Sequence, residues 1–315
     1  MKIGPLRRPR KIKIHDPIKA AKRKKRRLKY IAILPSFITL LNGACGFIAI
    51  VFASRSQEFG FSFMGGNTTI TSLALAGYMI FLAMIFDTLD GRVARLTRTT
   101  SSFGGQLDSL TDAISFGAAP AFLVVKMVEF QMEQLIFSSL HFPVLVSRFL
   151  LFSAILYVMC AVVRLARFNV ENIDDEAAHM NFAGLPSPAA AGVLMSLVIF
   201  HQHYLTGIND VPAAASNFEM ITVAVFPFIT LFTGILMVSR VRYPHLANQL
   251  LRGKKSLPVL LAIFATGLFM VWNIQITLLA GFCGYALSGV LRWAFLGIFK
   301  KRPKNVISAS SQQQS

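Results

Sequence analysis

Eight stretches of roughly twenty apolar residues follow one another along this 315-residue chain, near 31–53, 69–89, 104–126, 146–167, 185–204, 217–238, 257–273 and 276–298. A helix rising 1.5 Å per residue needs about 20 such residues to cross the hydrocarbon core of a bilayer. An all-α integral membrane fold of about eight transmembrane helices is therefore expected. Composition agrees, with 54% hydrophobic and only 15% charged residues, whereas a soluble domain is nearer a quarter charged. Only Asn273, Ile274 and Gln275 separate the last two runs, so these should form a tight hairpin.

The net charge of +18 is unevenly spread. Residues 1–30 hold 14 Lys/Arg and one acid, Asp16, which leaves 18 bases against 13 acids in the rest. Residues 1–30 read as a disordered basic tail on the cytoplasmic side, 31–300 as the transmembrane domain and 301–315 as a polar C-terminal tail. With the first tail inside, the inner loops carry Arg92, Arg95 and Arg98, then Arg240, Arg242, Arg252, Lys254 and Lys255, and the C-terminal tail Lys300, Lys301, Arg302 and Lys304. The outer connections are base-poor, with no Lys or Arg between 205 and 216. That asymmetry puts both termini in the cytoplasm. The basic tail is compatible with binding anionic membrane lipids. No nucleic acid partner is expected, because no recognition fold accompanies the charge. The tail is too long, and the run after it too full-length, for a cleavable signal peptide. Cys45, Cys160 and Cys283 lie far apart inside apolar runs, which argues against a zinc site or a disulfide framework.

Against this background the segment DTLDGRVARLTRTTSSFGGQLDSLTDA stands out. It places Asp87, Asp90, Asp108 and Asp112 where the pattern says lipid. A carboxylate near the bilayer centre costs roughly 2.5–3.5 kcal/mol on insertion scales, so four cost on the order of 10 kcal/mol unless neutralised. On a helix, 87, 90, 91, 94 and 95 share one face, as do 104, 108 and 112. The polar RLTRTTSS between them suits an antiparallel turn at the inner surface. Four hard oxygen donors facing one another suit Mg²⁺, Mn²⁺ or Ca²⁺ rather than zinc, and two divalent cations balance four carboxylates. Gly91, Ala94, Gly104 and Gly105 clear space in which a phosphate can approach the backbone, and Arg95 is placed to grip one. Two other readings stay open at this point: inter-helix salt bridges, and an ion or proton pathway such as a cation-coupled transporter would use.

The pattern Asp87-x2-Asp90-Gly91-x2-Ala94-Arg95-x8-Gly104-x3-Asp108-x3-Asp112 resembles, at every position, the signature of the CDP-alcohol phosphotransferase family. The resemblance implies a membrane-embedded catalytic domain over 31–300 that displaces CMP from a CDP-activated lipid or alcohol. It implies that Asp87, Asp90, Asp108 and Asp112 hold two Mg²⁺ or Mn²⁺ ions. It also implies that Asp112 takes the proton from the attacking hydroxyl, and that Gly91, Ala94, Arg95 and Gly104 line the nucleotide site.

Three further stretches bear on the acceptor. PSFITLLNGACGF puts Asn42 among apolar neighbours, either as a helix-packing amide or as a nucleotide contact. RLARFN ends a helix with Arg164 and Arg167, which serve either as cytoplasmic anchors or as an anion site. FAGLPSPAAAG opens the next helix, with Ser187 as a cap or as part of an anion-binding helix start. Together these resemble the branch of bacterial membrane-integral phosphatidylserine synthases. The resemblance implies CDP-diacylglycerol and L-serine as substrates, a homodimer, and multi-pass insertion in the bacterial inner membrane. Glycerol phosphate, inositol phosphate or choline remain alternative acceptors.

Overall fold

A computed structural model describes residues 17–55, 61–62, 69–97, 102–135, 142–174, 184–204, 214–241, 243 and 266–299. The chain forms α1 (Pro17–Ala53), α2 (Ser72–Thr97), α3 (Ser102–Asp112), a π-helical turn (Ala113–Ala118), α4 (Ala119–Leu135), α5 (Phe142–Asp174), α6 (Ser187–Tyr204) and α7 (Ala214–Val238). A helical segment over 266–272 and α8 (Ile274–Phe299) complete it. Between α1 and α2, Phe61–Ser62 and Thr69–Ile70 pair as a two-residue antiparallel ladder.

Among the described residues, five helices are long and apolar enough to cross a membrane: Pro35–Ala53, Ser72–Leu96, Phe103–Met132, Val144–Val170 and Ile274–Phe295. The chain is a multi-pass membrane protein. The runs expected at 185–204 and 217–238 are helical as well. However, α6 ends in His201, Gln202 and His203, which lower its hydropathy, and the apolar part of α7 is the shorter Ala224–Val238. Most of the run near 257–273, the first 16 residues and the C-terminal tail lie outside the described residues. The expected break between the last two helices falls on Asn273 alone, whose Oδ1 accepts a hydrogen bond from the Ile276 backbone at 3.3 Å and caps α8. Helix α1 begins earlier than expected, at Pro17, inside the stretch read as a disordered tail.

Many small residues sit at the centre of the bundle, beside the fully buried Phe116, Leu123, Met127 and Tyr157, and large apolar side chains also cover its rim. Ala49, Ala76, Ala83, Ala119, Ala161, Ala190 and Ala191 are fully or almost fully buried. Phe37, Phe47, Phe152, Met159, Phe228, Trp293 and Phe295 face outward. In lipid there is no hydrophobic gain from burying large side chains, so close backbone approach between small residues drives packing. One close approach is at α1. A Cβ on Gly43 would lie 2.8 Å from Thr111 Cγ2, and one on Gly46 would lie 2.7 Å from Ser115 Cα. These two glycines press α1 against the junction of α3 with the π turn.

That turn has a local cause. Pro120 has no N–H to give the carbonyl of Phe116 four residues earlier. The helix widens over 113–118, and the Tyr157 hydroxyl of α5 donates to the Phe116 carbonyl at 3.0 Å. A π turn inside an α-helix commonly marks a functional position. Here it starts immediately after Asp112.

Candidate active site

Asp87 and Asp90 lie on the last turns of α2, and Asp108 on α3. One carboxylate oxygen from each of the three falls within 4.8 Å of the others. Asp90 is 5% exposed, and its Oδ2, like Asp108 Oδ1, is buried with no hydrogen-bond partner among the described residues. Uncompensated carboxylate oxygens gathered this closely are a poor arrangement for protein alone. They are a fitting one for a hard divalent cation. The donor set therefore fits the metal chemistry that the sequence implied.

Asp112 stands apart from this trio, although it is within electrostatic range of Asp87 and Asp108. It is buried, and the Asn42 side-chain amide donates to its Oδ1 at 2.9 Å. Asn42 is itself fully buried, and its backbone carbonyl accepts from Ser115 Oγ at 2.9 Å. The close α1 approach at Gly43 and Gly46 makes this contact possible. Asn42 thus meets the aspartate expected to act as base, where sequence reasoning had weighed a nucleotide contact against a packing amide.

Arg164 of α5 comes within electrostatic range of Asp112 and Asp87 and donates through Nη1 to Ser187 Oγ at 2.7 Å. Ser187 is 1% exposed at the first turn of α6. The α6 start is fixed from behind. Gly184 adopts φ +96°, and a Cβ there would collide with the Met237 carbonyl. The Gly184 and Leu185 amides donate to the carbonyls of Val241 and Leu236 at 2.8 and 3.0 Å. Arg167, one turn beyond Arg164, is exposed. Arg95 is exposed too, with its Nε donating to the Gly91 carbonyl at 2.9 Å. Ala94 and Gly104 are half-buried. Among the described residues, a Cβ on Gly91 would meet Arg95 Nη2 at 3.8 Å, and one on Gly105 nothing within 4 Å. Packing among the described residues therefore does not require either glycine, which leaves room beside the aspartates.

Several contributors went unnoticed in the sequence. Asn169 of RLARFN exchanges hydrogen bonds with Ser109, at 2.8 and 3.1 Å, tying α5 to α3 next to Asp108. Tyr157, Ser115, Gly43 and Gly46 shape the support of Asp112. Of these, Gly43 and Gly46 had a signal: with Asn42 they share a helix face at i+3 and i+4 spacing.

Residues 32–237 match the CDP-alcohol phosphatidyltransferase family. The chain is 29% identical over 273 residues to a CDP-diacylglycerol–serine O-phosphatidyltransferase of Methanocaldococcus jannaschii, covering 87% of this chain and 96% of that protein. It is 31% identical to the protein of the same name from Helicobacter pylori, covering 84% and 92%. It is 32% identical to the archaetidylserine synthase of Methanothermobacter thermautotrophicus, covering 67% and 70%. With the family signature complete in sequence and its carboxylates gathered in space, the chain belongs to the CDP-alcohol phosphatidyltransferase family.

Proposed function

We propose that the chain transfers the phosphatidyl group of CDP-diacylglycerol to the hydroxyl of L-serine, giving phosphatidylserine and CMP. The observation that carries this reading is the juxtaposition of the Asp87, Asp90 and Asp108 oxygens with a separately held Asp112 and with Arg164. The names of relatives similar over most of the chain support serine as the acceptor.

In this reading Asp87, Asp90 and Asp108, with Asp112 at the edge, hold two Mg²⁺ or Mn²⁺ ions. When bound, these neutralise the buried carboxylates and stabilise charge on the pyrophosphate. Gly91, Ala94, Arg95 and Gly104 line the nucleotide side. Arg164 and Ser187 hold the serine carboxylate, and Arg167 adds positive charge at the mouth. Asp112 accepts the hydroxyl proton of serine. The serine oxygen bonds to the phosphorus that carries diacylglycerol, the bond from that phosphorus to the CMP oxygen breaks, and CMP departs with the electron pair. Such base catalysis typically contributes 10²–10⁴-fold. The acyl chains remain in lipid, against the apolar rim of the bundle. We further propose that the protein is a homodimer in the bacterial inner membrane with both termini cytoplasmic.

The test is to purify the protein in detergent and supply CDP-diacylglycerol, Mg²⁺ or Mn²⁺, and serine, glycerol phosphate, inositol phosphate or choline in turn. Lipid products are then identified by mass. Phosphatidylserine is expected; turnover with a different alcohol and none with serine would overturn the acceptor assignment.

A further inference from the structure

Helix α5 holds the segment that carries Asp108 and Asp112 at two points. At the inner one, the Tyr157 hydroxyl donates to the Phe116 carbonyl at 3.0 Å. At the outer one, Asn169 meets Ser109, the residue that follows Asp108. The Asn169 amide nitrogen donates to Ser109 Oγ at 2.8 Å, and Asn169 Oδ1 lies 3.1 Å from the same hydroxyl, within reach of its proton. Between 109 and 116 lie Asp112 and the start of the π turn. Between 157 and 169 lies Arg164, bonded to Ser187 at 2.7 Å. The two ties thus bracket a site carboxylate on one side and the site arginine on the other.

The two points are not held alike. The π turn buries Ser115, Phe116 and Gly117. Residues 103–110 of α3 include none that is buried, so core packing does not fix this end of the helix. A serine within a helix commonly bonds back to the carbonyl four residues earlier, and Ser109 Oγ does reach the Gly105 carbonyl at 3.1 Å. Asn169 adds a tie to a second helix. Its amide presents a donor and an acceptor to a hydroxyl that can both give and receive. Hydrogen bonds are directional where apolar contacts are not, so the pair sets how α3 is turned against α5.

We infer that Asn169 is a positioning residue, which acts through Ser109 to hold Asp108 at a set separation from Arg164 and so couples the metal-binding carboxylates to the anion site. This rests on the metal reading proposed above. Misplacing a reacting group by about 1 Å can cost on the order of 10²-fold in rate. A half-buried pair of little weight in stability therefore carries more in turnover.

The test is a double-mutant cycle on the full chain in detergent, with Asn169→Ala, Ser109→Ala and the two combined. Mn²⁺ is titrated with no substrate present, and bound metal is read by electron paramagnetic resonance. Loss of the tie predicts about 3- to 10-fold weaker Mn²⁺ binding in each single variant. The double variant should bind no more weakly than either single one, because both remove the same tie. With Mn²⁺ saturating, kcat should still be lower by about 10-fold, since α3 and α5 are no longer held in one register. The unfolding temperature should move by less than about 4 °C. Ser109→Thr keeps the hydroxyl and should bind Mn²⁺ within about twofold of wild type. Wild-type Mn²⁺ affinity in both alanine variants, or losses that add in the double variant, would overturn the assignment and leave the metal reading standing. Wild-type protein that binds no Mn²⁺ would overturn the metal reading itself, and the positioning role with it.

Discussion

Replacing Asn42 with alanine separates two roles for this buried amide. In the structure its side-chain nitrogen is 2.9 Å from Asp112 Oδ1 and both residues are buried. A hydrogen bond to a charged group contributes about 1.5–3 kcal/mol. Expressed wholly in the transition state, that corresponds to about a 10- to 150-fold loss of kcat, at 1.4 kcal/mol per decade. The backbone carbonyl of Asn42 keeps its bond from Ser115 in the variant, so α1 retains its anchor and the protein should fold. Steady-state CMP release, measured across ranges of CDP-diacylglycerol and serine, should show reduced kcat with the KM for CDP-diacylglycerol within about threefold, since uniform binding is untouched. Asn42→Asp, nearly the same size, places a second carboxylate against Asp112 and should be slower still. A variant with intact kcat and a KM for CDP-diacylglycerol raised about 10-fold would refute the positioning role. It would return Asn42 to the nucleotide site.

Other perturbations probe the remaining parts. Asp112→Asn should cut turnover by on the order of 10²-fold or more while CDP-diacylglycerol binding falls much less; joint loss of binding and turnover would make Asp112 chiefly a ligand. Thorough EDTA treatment should abolish activity and added Mg²⁺ or Mn²⁺ restore it, and Asp87→Asn or Asp108→Asn should lower metal affinity while insertion into the membrane persists, because each change reduces buried charge. Full turnover after EDTA would contradict a metal-dependent site. Gly46→Val should destabilise by about 1–3 kcal/mol through overpacking, seen as a lower unfolding temperature in detergent, whereas Gly91→Ala should leave that temperature unchanged and impair activity, since among the described residues its Cβ would meet just Arg95 Nη2, at 3.8 Å. A cysteine at Thr206 should react with a membrane-impermeant thiol reagent in intact cells and one at Ser310 should not; the opposite pattern would invert the proposed orientation.

The sequence was most legible where its signal was periodic or chemically costly. Apolar runs of bilayer length located α1, α2, the α3–α4 pair, α5 and α8, because lipid forces the backbone into helices. Carboxylates in such runs pointed to the site, because nothing but function offsets their insertion cost. The close packing was not legible. Asn42 could be seen, but its partner 70 residues away could not, since that contact depends on two glycines admitting α1 to the Thr111–Ser115 surface. Nor does local propensity announce the π turn: it arises from Pro120 and is completed by Tyr157 of another helix.

In the proposed reading Asp112 serves both at the edge of the metal site and as the base, and its placement fits both roles. Asp112 sits one helical turn beyond Asp108, at the lip of the π turn, where the Asn42 amide donates to its Oδ1. The same widened turn is pinned by Tyr157, on the α5 face that also carries Arg164 two turns later. The proposed base and anion site are thus tied together through α3, the π turn and α5. If that is correct, Tyr157→Phe, which removes only the hydroxyl holding the Phe116 carbonyl, should lower kcat for serine transfer while leaving the metal concentration for half-maximal activity unchanged. A shift in metal requirement without loss of kcat would show instead that the π turn serves the carboxylate trio.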